Sequence, residues 1–76
     1  MIYMENIKQN GDVISFDGYL TSDRKNGFHY SFNMVTGETL ENTGGGTFHI
    51  SEAKFRILSV LAANKSLPSK MKANTH

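Results

Sequence analysis

The sequence contains no cysteine, no tryptophan and a single proline, Pro68. Without thiols, neither a disulfide nor a thiolate zinc site can supplement the hydrophobic core. The chain has 76 residues, and a domain this small buries only about 60% of the surface that its unfolded chain exposes. We therefore expect one domain whose stability is a few kcal/mol.

Long apolar runs are also lacking. No stretch approaches the roughly 18 apolar residues that a membrane-spanning helix needs, and the first residues show no signal-peptide pattern. These absences predict a soluble, cytoplasmic protein that has no membrane partner. A homodimer that shares a core would compensate for the small size, so self-association stays open as an alternative.

A dense cluster of charge is missing as well, although the net charge of +1 conceals an asymmetry. Residues 1–50 carry three basic and six acidic side chains, a net charge of −3, whereas residues 51–76 carry five basic and one acidic, a net charge of +4. Such asymmetry can mark an anionic partner. The basic residues are dispersed, however, which favours an ordinary solvated surface.

The strongest pattern that is present lies in residues 27–35. Its alternating positions are apolar (Phe28, Tyr30, Phe32 and Met34) and polar (His29, Ser31 and Asn33). This alternation predicts a strand that has one apolar face and one polar face. The aromatic row can serve as a core or as a stacking platform for bases, and its role as the floor beneath a helix favours the core.

Residues 2–9 and 12–20 predict a hairpin joined at Asn10-Gly11, because Asn-Gly suits a two-residue type I′ turn. This turn places Gln9 opposite Asp12. The predicted apolar face of the hairpin comprises Tyr3, Ile7, Ile14, Phe16 and Leu20. A charged loop over residues 21–27 then leads to the aromatic strand.

The register that keeps the apolar rows together pairs Phe16 with Phe32 and Gly18 with Tyr30. Gly18 would thereby leave space for the Tyr30 ring. Residues 38–42 predict a fourth strand at the edge of the sheet. A three-residue turn before it places Leu40 opposite Met34 on the apolar face.

The triglycine at residues 44–46 is interpreted as a flexible connector rather than a phosphate loop, because no Gly-Lys-Ser/Thr follows it. Ser51 is the expected N-cap of a helix over residues 52–64. The predicted buried face of this helix comprises Phe55, Leu58 and Ala62, widened by Ile57 and Leu61. Residues 67–76 predict a basic, disordered tail.

These elements predict an α+β fold in which one C-terminal α-helix packs on one face of a four-stranded antiparallel β-meander (β-β-β-β-α). The domain would span residues 1–66. The segment Lys25 to Tyr30 has an opening similar to the central strand of RNA-recognition motifs. Asn33 stands where that motif has its third aromatic residue, so the chain is not assigned to that family.

Catalysis, cofactors and metals find no support in the sequence. The histidines at positions 29, 49 and 76 lack ligand spacing. The predicted register places His29 beside Tyr19, with Ser31 and Asp17 as the next pair. A nucleophilic triad needs an enclosed pocket and an oxyanion hole, which an open sheet face does not supply. The sequence therefore predicts a protein that is not an enzyme.

The leading functional hypothesis is a small module that binds another protein and acts as an adaptor, inhibitor or regulator by occupying its surface. The candidate contacts are Asp17, Tyr19, His29 and Asn33 on the polar face and Asp23, Arg24 and Lys25 in the charged loop. The alternative is a small nucleic-acid-binding domain. Its candidate contacts are Lys54, Arg56, Lys65, Lys70 and Lys72 on the helix and tail.

Overall fold

A computed structural model describes residues 2–20 and 23–73, with residues 23–26 described by their backbone alone. The elements in chain order are β1 (Ile2–Asn10), β2 (Val13–Leu20), β3 (Asp23–Asn33), β4 (Thr39–Asn42), α1 (Thr47–Ala62) and β5 (Met71–Ala73). The strands form one antiparallel sheet in the order β4-β3-β2-β1-β5. The α+β class is confirmed, whereas the described residues form five strands rather than four.

The fifth strand corrects the prediction of a disordered tail. Met71–Ala73 pairs with the outer edge of β1, so that Ile2 faces Ala73 and Met4 faces Met71. Ala73 is buried, and Leu67 packs against the core. A three-residue strand carries too little alternation to be recognised in sequence, and its pairing depends on a β1 edge that only the folded sheet presents. Residues 74–76 of the predicted tail lie outside the described residues.

The β1–β2 hairpin differs from its predicted register in two ways. Asn10 pairs with Val13, so the turn residues are Gly11, which has a φ of +62°, and Asp12. A bulge then interrupts the pairing between Glu5 and Lys8, where Asn6 adopts a φ of +52°. A bulge adds one residue and so reverses the alternation of the strand. The buried side chains of β1 are consequently Ile2, Met4 and Ile7.

Tyr3 therefore does not lie on the apolar face, and that prediction is wrong. In the β2–β3 ladder, Phe16 pairs with Tyr30 and Gly18 pairs with Phe28. This register differs by two residues from the predicted one, so the Phe16–Phe32 and Gly18–Tyr30 pairs are also wrong. A shift of two keeps every side chain on its face. Phe28, Tyr30 and Phe32 are buried, which confirms their prediction as core.

The edge position of β4 is confirmed, but its predicted register is not. Phe32 pairs with Thr39 and Ser31 pairs with Glu41, which leaves Leu40 as the extra residue of a bulge. Leu40 is 51% exposed and does not face Met34. The preceding turn, and not the burial of Leu40, sets this register. Its backbone is closed by bonds from Asn33 N–H to the Glu38 carbonyl and from Gly37 N–H to the Asn33 carbonyl.

The helix begins at Thr47, directly after its N-cap Gly46, so Ser51 lies inside the helix and does not cap it. Its buried residues are Ile50, Ala53 and Ile57, and Leu61 packs partly against the core. This contact face differs from the predicted line of Phe55, Leu58 and Ala62. The small Ala53 side chain at its centre allows the helix to approach the sheet closely.

The triglycine segment joins β4 to α1, and its glycines also pack. A Cβ atom built on Gly45 would lie 2.7 Å from both Phe28 Cε2 and Ile50 Cδ1. The side-chain oxygen of Asn42 accepts hydrogen bonds from the N–H groups of Gly44 and Gly45, at 3.1 and 2.7 Å. These amides are the donors that a phosphate loop would use. They are already engaged by the chain itself.

Candidate functional site

The face of the sheet opposite α1, hereafter the polar face, carries a cluster of ionisable side chains centred on His29. His29 Nδ1 lies 2.7 Å from Asp17 Oδ1, and His29 Nε2 lies 3.0 Å from Glu41 Oε1. A neutral imidazole has only one N–H group, whereas the imidazolium has two. Both contacts are therefore satisfied as donated hydrogen bonds only by the protonated ring.

Asp17 makes a further contact through its second oxygen. Asn6 Nδ2 donates a hydrogen bond of 2.9 Å to Asp17 Oδ2. This bond, followed by the hydrogen bond from His29, holds the pKa of the Asp17 carboxyl below its ordinary value of about 3.8. Asn6, the bulge residue with a positive φ, thus also supplies a hydrogen-bond donor to Asp17.

The cluster corrects the predicted neighbours of His29. His29 pairs with Asp17, and Ser31 pairs with Ser15 on one side and Glu41 on the other. The ring nitrogen that a general base would direct at a nucleophile instead meets the Glu41 carboxylate. The two carboxylates reach the ring from different nitrogens. Among residues 2–20 and 23–73, no group of three or more His, Asp or Glu side chains is arranged to hold a metal ion.

The remaining polar-face candidates have structural contacts. Tyr19 donates a 3.0 Å hydrogen bond from its hydroxyl to Glu5 Oε1 and stacks on Tyr3, with ring centroids 5.4 Å apart. Asn33 closes the β3–β4 turn, because its side-chain oxygen accepts bonds from the N–H groups of Val35 and Thr36. Asp23, Arg24 and Lys25 begin β3, and their side chains lie outside the described part of the structure.

Tyr3 is a polar-face residue that sequence reasoning missed. It pairs with Tyr19 on one side and Lys72 on the other. The two rings line a cleft of about 240 Å³ together with Glu5, Lys70 and Lys72. The apolar side chains at positions 2, 4 and 7 break the period of two, and this break is the signal that would have revealed the bulge and moved Tyr3 to this face.

The basic residues of the alternative hypothesis are divided among several surfaces, although Arg56 and Lys72 line one cleft. Lys54 donates a 3.0 Å hydrogen bond to the Gly37 carbonyl, and its ammonium lies 5.2 Å from the centroid of the Phe32 ring. Arg56 lines a second cleft, of about 340 Å³, between α1 and β5. Lys65 is exposed after the helix. Only Lys70 and Lys72 lie beside the two tyrosine rings.

A second apolar line runs along α1 on the side away from the sheet. We call it the outer face of α1, and it comprises Phe48, Ser51, Phe55, Leu58 and Ala62. Phe48 is 54% exposed, Phe55 71% and Leu58 38%. At about 200 Å² for an aromatic residue, these fractions sum to roughly 300 Å² of exposed area, which is the lower end of the size of the largest apolar patch on a typical monomer.

The outer face contains Phe55, Leu58 and Ala62, three of the five helix residues that the sequence assigned to the core. The other two, Ile57 and Leu61, do pack against the core as predicted. Both apolar lines have helical spacing, so periodicity alone does not decide which one packs on the sheet. The structure buries the line of Ile50, Ala53 and Ile57 and leaves the aromatic line exposed. The exposed aromatic line was therefore visible in the sequence as a pattern but was predicted to pack on the sheet.

No family model matches the chain, and no curated protein or solved structure matches it either. Within the described ranges, α1 falls short of the length and continuous apolarity that a membrane-crossing helix needs.

Proposed function

We propose that the protein is a small binding module, without catalytic activity, that acts by occupying the surface of a partner protein through the outer face of α1. The observation that carries this proposal is the contrast between two residues two positions apart. Ile57 is completely buried against the sheet, whereas the larger Phe55 is 71% exposed. A domain with few large apolar residues gains nothing in its own stability from leaving its helix aromatics in water.

The surroundings of Phe55 resemble the anatomy of a protein interface. Interfaces have an aromatic and aliphatic centre and a polar rim. Here Phe48, Phe55 and Leu58 supply the centre. Glu52 and Arg56 flank Phe55 at the cleft toward β5 and supply a rim of both signs. A partner that offers an apolar groove or the apolar side of a helix fits this surface.

The polar-face candidates contribute less to this proposal. Asp17 and His29 satisfy each other, and Asn33 holds a turn. A partner that contacts them must compete with hydrogen bonds that are already made. We therefore place Asp17, Tyr19 and His29 outside the contact surface. The carboxylates on both nitrogens of His29 support a role without catalysis, because each nitrogen already contacts a carboxylate.

Site-specific photo-cross-linking tests this proposal. A benzophenone-bearing phenylalanine is placed at position 55 of the full chain, and at position 8 in a matched control, since Lys8 pairs with Ser15 on the polar face. We expect one discrete protein adduct from position 55, which Leu58→Asp abolishes, and none from position 8. An adduct from position 8 and none from position 55 would move the contact surface to the polar face.

A second candidate function, binding of single-stranded nucleic acid, is favoured by one specific observation. The stacked Tyr3 and Tyr19 rings lie beside Lys70 and Lys72, and aromatic rings with adjacent cations bind bases and phosphates together. The Glu5 carboxylate in the same cleft opposes this function. If the protein binds single-stranded nucleic acid, its affinity for an oligonucleotide should fall steeply between about 50 and about 200 mM salt. The Tyr3→Ala variant should bind the oligonucleotide more weakly. If fluorescence anisotropy shows no binding of the oligonucleotide at low salt, this candidate function is excluded.

A further inference from the structure

We infer that the cleft between the stacked tyrosines and β5 binds a single guanine base that carries a phosphate. The inference deepens the second candidate function, on whose cleft it rests, because it names the base that the cleft selects. A free guanine nucleotide and an exposed guanine in a single strand offer the same chemistry. The outer face of α1 takes no part in this site.

The cleft has room for one base. Its volume is about 240 Å³, which is below the roughly 300 Å³ at which pockets for drug-sized ligands begin. The rings of Tyr3 and Tyr19 stack on each other with an interplanar angle of 25°, so they form one aromatic wall rather than the two sides of a sandwich. Both tyrosines are half-buried, which leaves part of each ring accessible. One base can therefore lie against this wall, whereas a run of stacked bases exceeds the space.

Two lysines supply the contact for a phosphate. Lys72 lies opposite Tyr3 in the β1–β5 ladder, and Lys70 lines the same cleft. Both side chains are exposed. An ammonium group binds phosphate as a point charge, and salt screens an exposed charge of this kind. The lysines consequently contribute affinity for any nucleotide but no preference among the bases.

Glu5 is the group in the cleft that can distinguish the bases. Its Oε1 accepts a hydrogen bond of 3.0 Å from the Tyr19 hydroxyl, which holds the carboxylate beside the hydroxyl end of that ring. A carboxylate has about four lone-pair sites, so it can accept hydrogen bonds from a ligand in addition to its contacts within the protein. Guanine presents two adjacent donors on its Watson–Crick edge, a ring N–H and an amino group. These donors match the two oxygens of a carboxylate.

The other bases do not match a carboxylate in this way. Adenine and cytosine place a ring-nitrogen acceptor beside their amino donor, and thymine and uracil place a carbonyl on either side of their single N–H donor. One carboxylate oxygen would then face an acceptor of the ligand, which is repulsive. Glu5 thus weakens the binding of every nucleotide through its charge, and only guanine compensates for this loss. An acidic side chain beside two lysines therefore favours one base at the expense of the others.

NMR titration of the full chain at about 50 mM salt tests this inference. The free ligands are guanosine, inosine and adenosine monophosphates (GMP, IMP and AMP), and the single strands are thymidine octamers with and without one central guanine. We expect GMP to bind at least about fivefold more tightly than AMP, with chemical-shift changes at Tyr3 and Tyr19. IMP lacks the amino group and should lose most of this preference. The octamer that contains guanine should bind more tightly than the other by a similar factor.

The Glu5→Gln variant separates base selection from structural damage. A glutamine amide presents one donor and one acceptor, and so it matches adenine instead of guanine. The variant should bind GMP more weakly and AMP more tightly than the wild type, whereas a damaged cleft would bind both more weakly. Asp12→Asn is the matched control, because it removes the same charge at an exposed residue of the β1–β2 turn. It should leave the preference unchanged.

Two results with the free nucleotides would overturn the inference. One is equal affinity for GMP and AMP, and the other is a Glu5→Gln variant that keeps the wild-type preference for GMP. Octamers that bind equally well with and without guanine would contradict the inference alone and support the second candidate function. Binding of GMP but of neither octamer would support the inference and contradict that function. The absence of shift changes at Tyr3 and Tyr19 with every ligand would contradict both.

Discussion

The far edge of the Phe28 ring lies against the bare Cα of Gly18 across the β2–β3 ladder. A Cβ atom on Gly18 would lie 2.5 Å from Phe28 Cζ. Gly45 confines the same ring from another side, since a Cβ atom there would lie 2.7 Å from Phe28 Cε2. Two glycines that are distant in sequence thus enclose one aromatic ring, which has little room to yield to either side.

Alanine at either glycine should therefore destabilise the fold. Overpacking of a close-packed site costs about 1–3 kcal/mol, and we expect this loss in urea unfolding for both Gly18→Ala and Gly45→Ala. Gly44→Ala is the matched control, because its Cβ atom would come no closer than 3.8 Å to Phe28. Equal stabilities of the Gly18→Ala and Gly44→Ala variants would show that the ring is not confined.

Phe32 tests the role of the aromatic row. Its side chain is fully buried beneath α1, where it contacts the Tyr30 ring at a centroid distance of 5.8 Å. Phe32→Ala should cost about 3–5 kcal/mol, which is comparable to the whole stability of so small a domain. We expect loss of the cooperative urea transition and of near-ultraviolet circular dichroism. A folded and stable variant would contradict the assignment of this row to the core.

The two faces of α1 can be compared directly by truncating one residue on each. Ile57→Ala removes a fully buried side chain and should cost about 2–5 kcal/mol. Phe55→Ala should change the monomer's stability by no more than about 0.5 kcal/mol, because its ring is largely in water. Both values are measured by urea unfolding at the same protein concentration. The reverse order of effects would mean that α1 packs through its aromatic line.

Asn6 combines a backbone role and a side-chain role, which two substitutions separate. Its φ of +52° is costly for a residue that has a Cβ atom and no local hydrogen bond, so Asn6→Ala should lose about 1–2 kcal/mol. Asn6→Gly keeps the backbone freedom and loses only the amide, and it should be the more stable of the two. If Asn6→Ala equals Asn6→Gly in thermal unfolding, the bulge does not depend on a left-handed residue.

The Asp17 cluster predicts a component of stability that depends on pH. Hydrogen bonds from Asn6 and then His29 lower the pKa of Asp17 in the folded state. The stabilisation is therefore complete above the ordinary value of about 3.8 and is lost as pH falls through the lower folded value. The difference in unfolding free energy between the wild type and Asp17→Asn should shrink over that range. A carboxyl pKa at or above 3.8, measured by NMR, would contradict this account.

Much of the sheet could be predicted because its rules are local. The alternation from Phe28 to Phe32 fixed which side chains face the core, and the weak apolar content of residues 38–42 indicated an edge strand. The predicted β2–β3 register was wrong by two residues. The assignment of side chains to the two faces was still correct, because side chains alternate between faces with a period of two. The local sequence pattern determines which face of the sheet a side chain lies on. The register between two strands also depends on the turns and bulges that connect them.

The remaining errors arose where two local patterns were equally good or where a partner was needed. A single left-handed residue, Asn6, placed Tyr3 on the polar face, whereas Ile7 is buried as predicted. The helix has two apolar lines, and only packing against the sheet separates Ile57 from Phe55. The three residues of β5 are too few to show an alternating pattern, and they form a strand only by pairing with the edge of β1. The polar cluster of Asp17, His29 and Glu41 depended on the register and so was only partly foreseen.

The central claim is that the outer face of α1 is a contact surface and not part of the core. The most direct measurement combines urea unfolding of Phe55→Asp with the cross-linking experiment at position 55. The account predicts that Phe55→Asp unfolds cooperatively, with a midpoint close to that of the wild type, and that position 55 gives a discrete protein adduct. A Phe55→Asp variant that fails to fold, or the absence of an adduct from position 55, would contradict the claim.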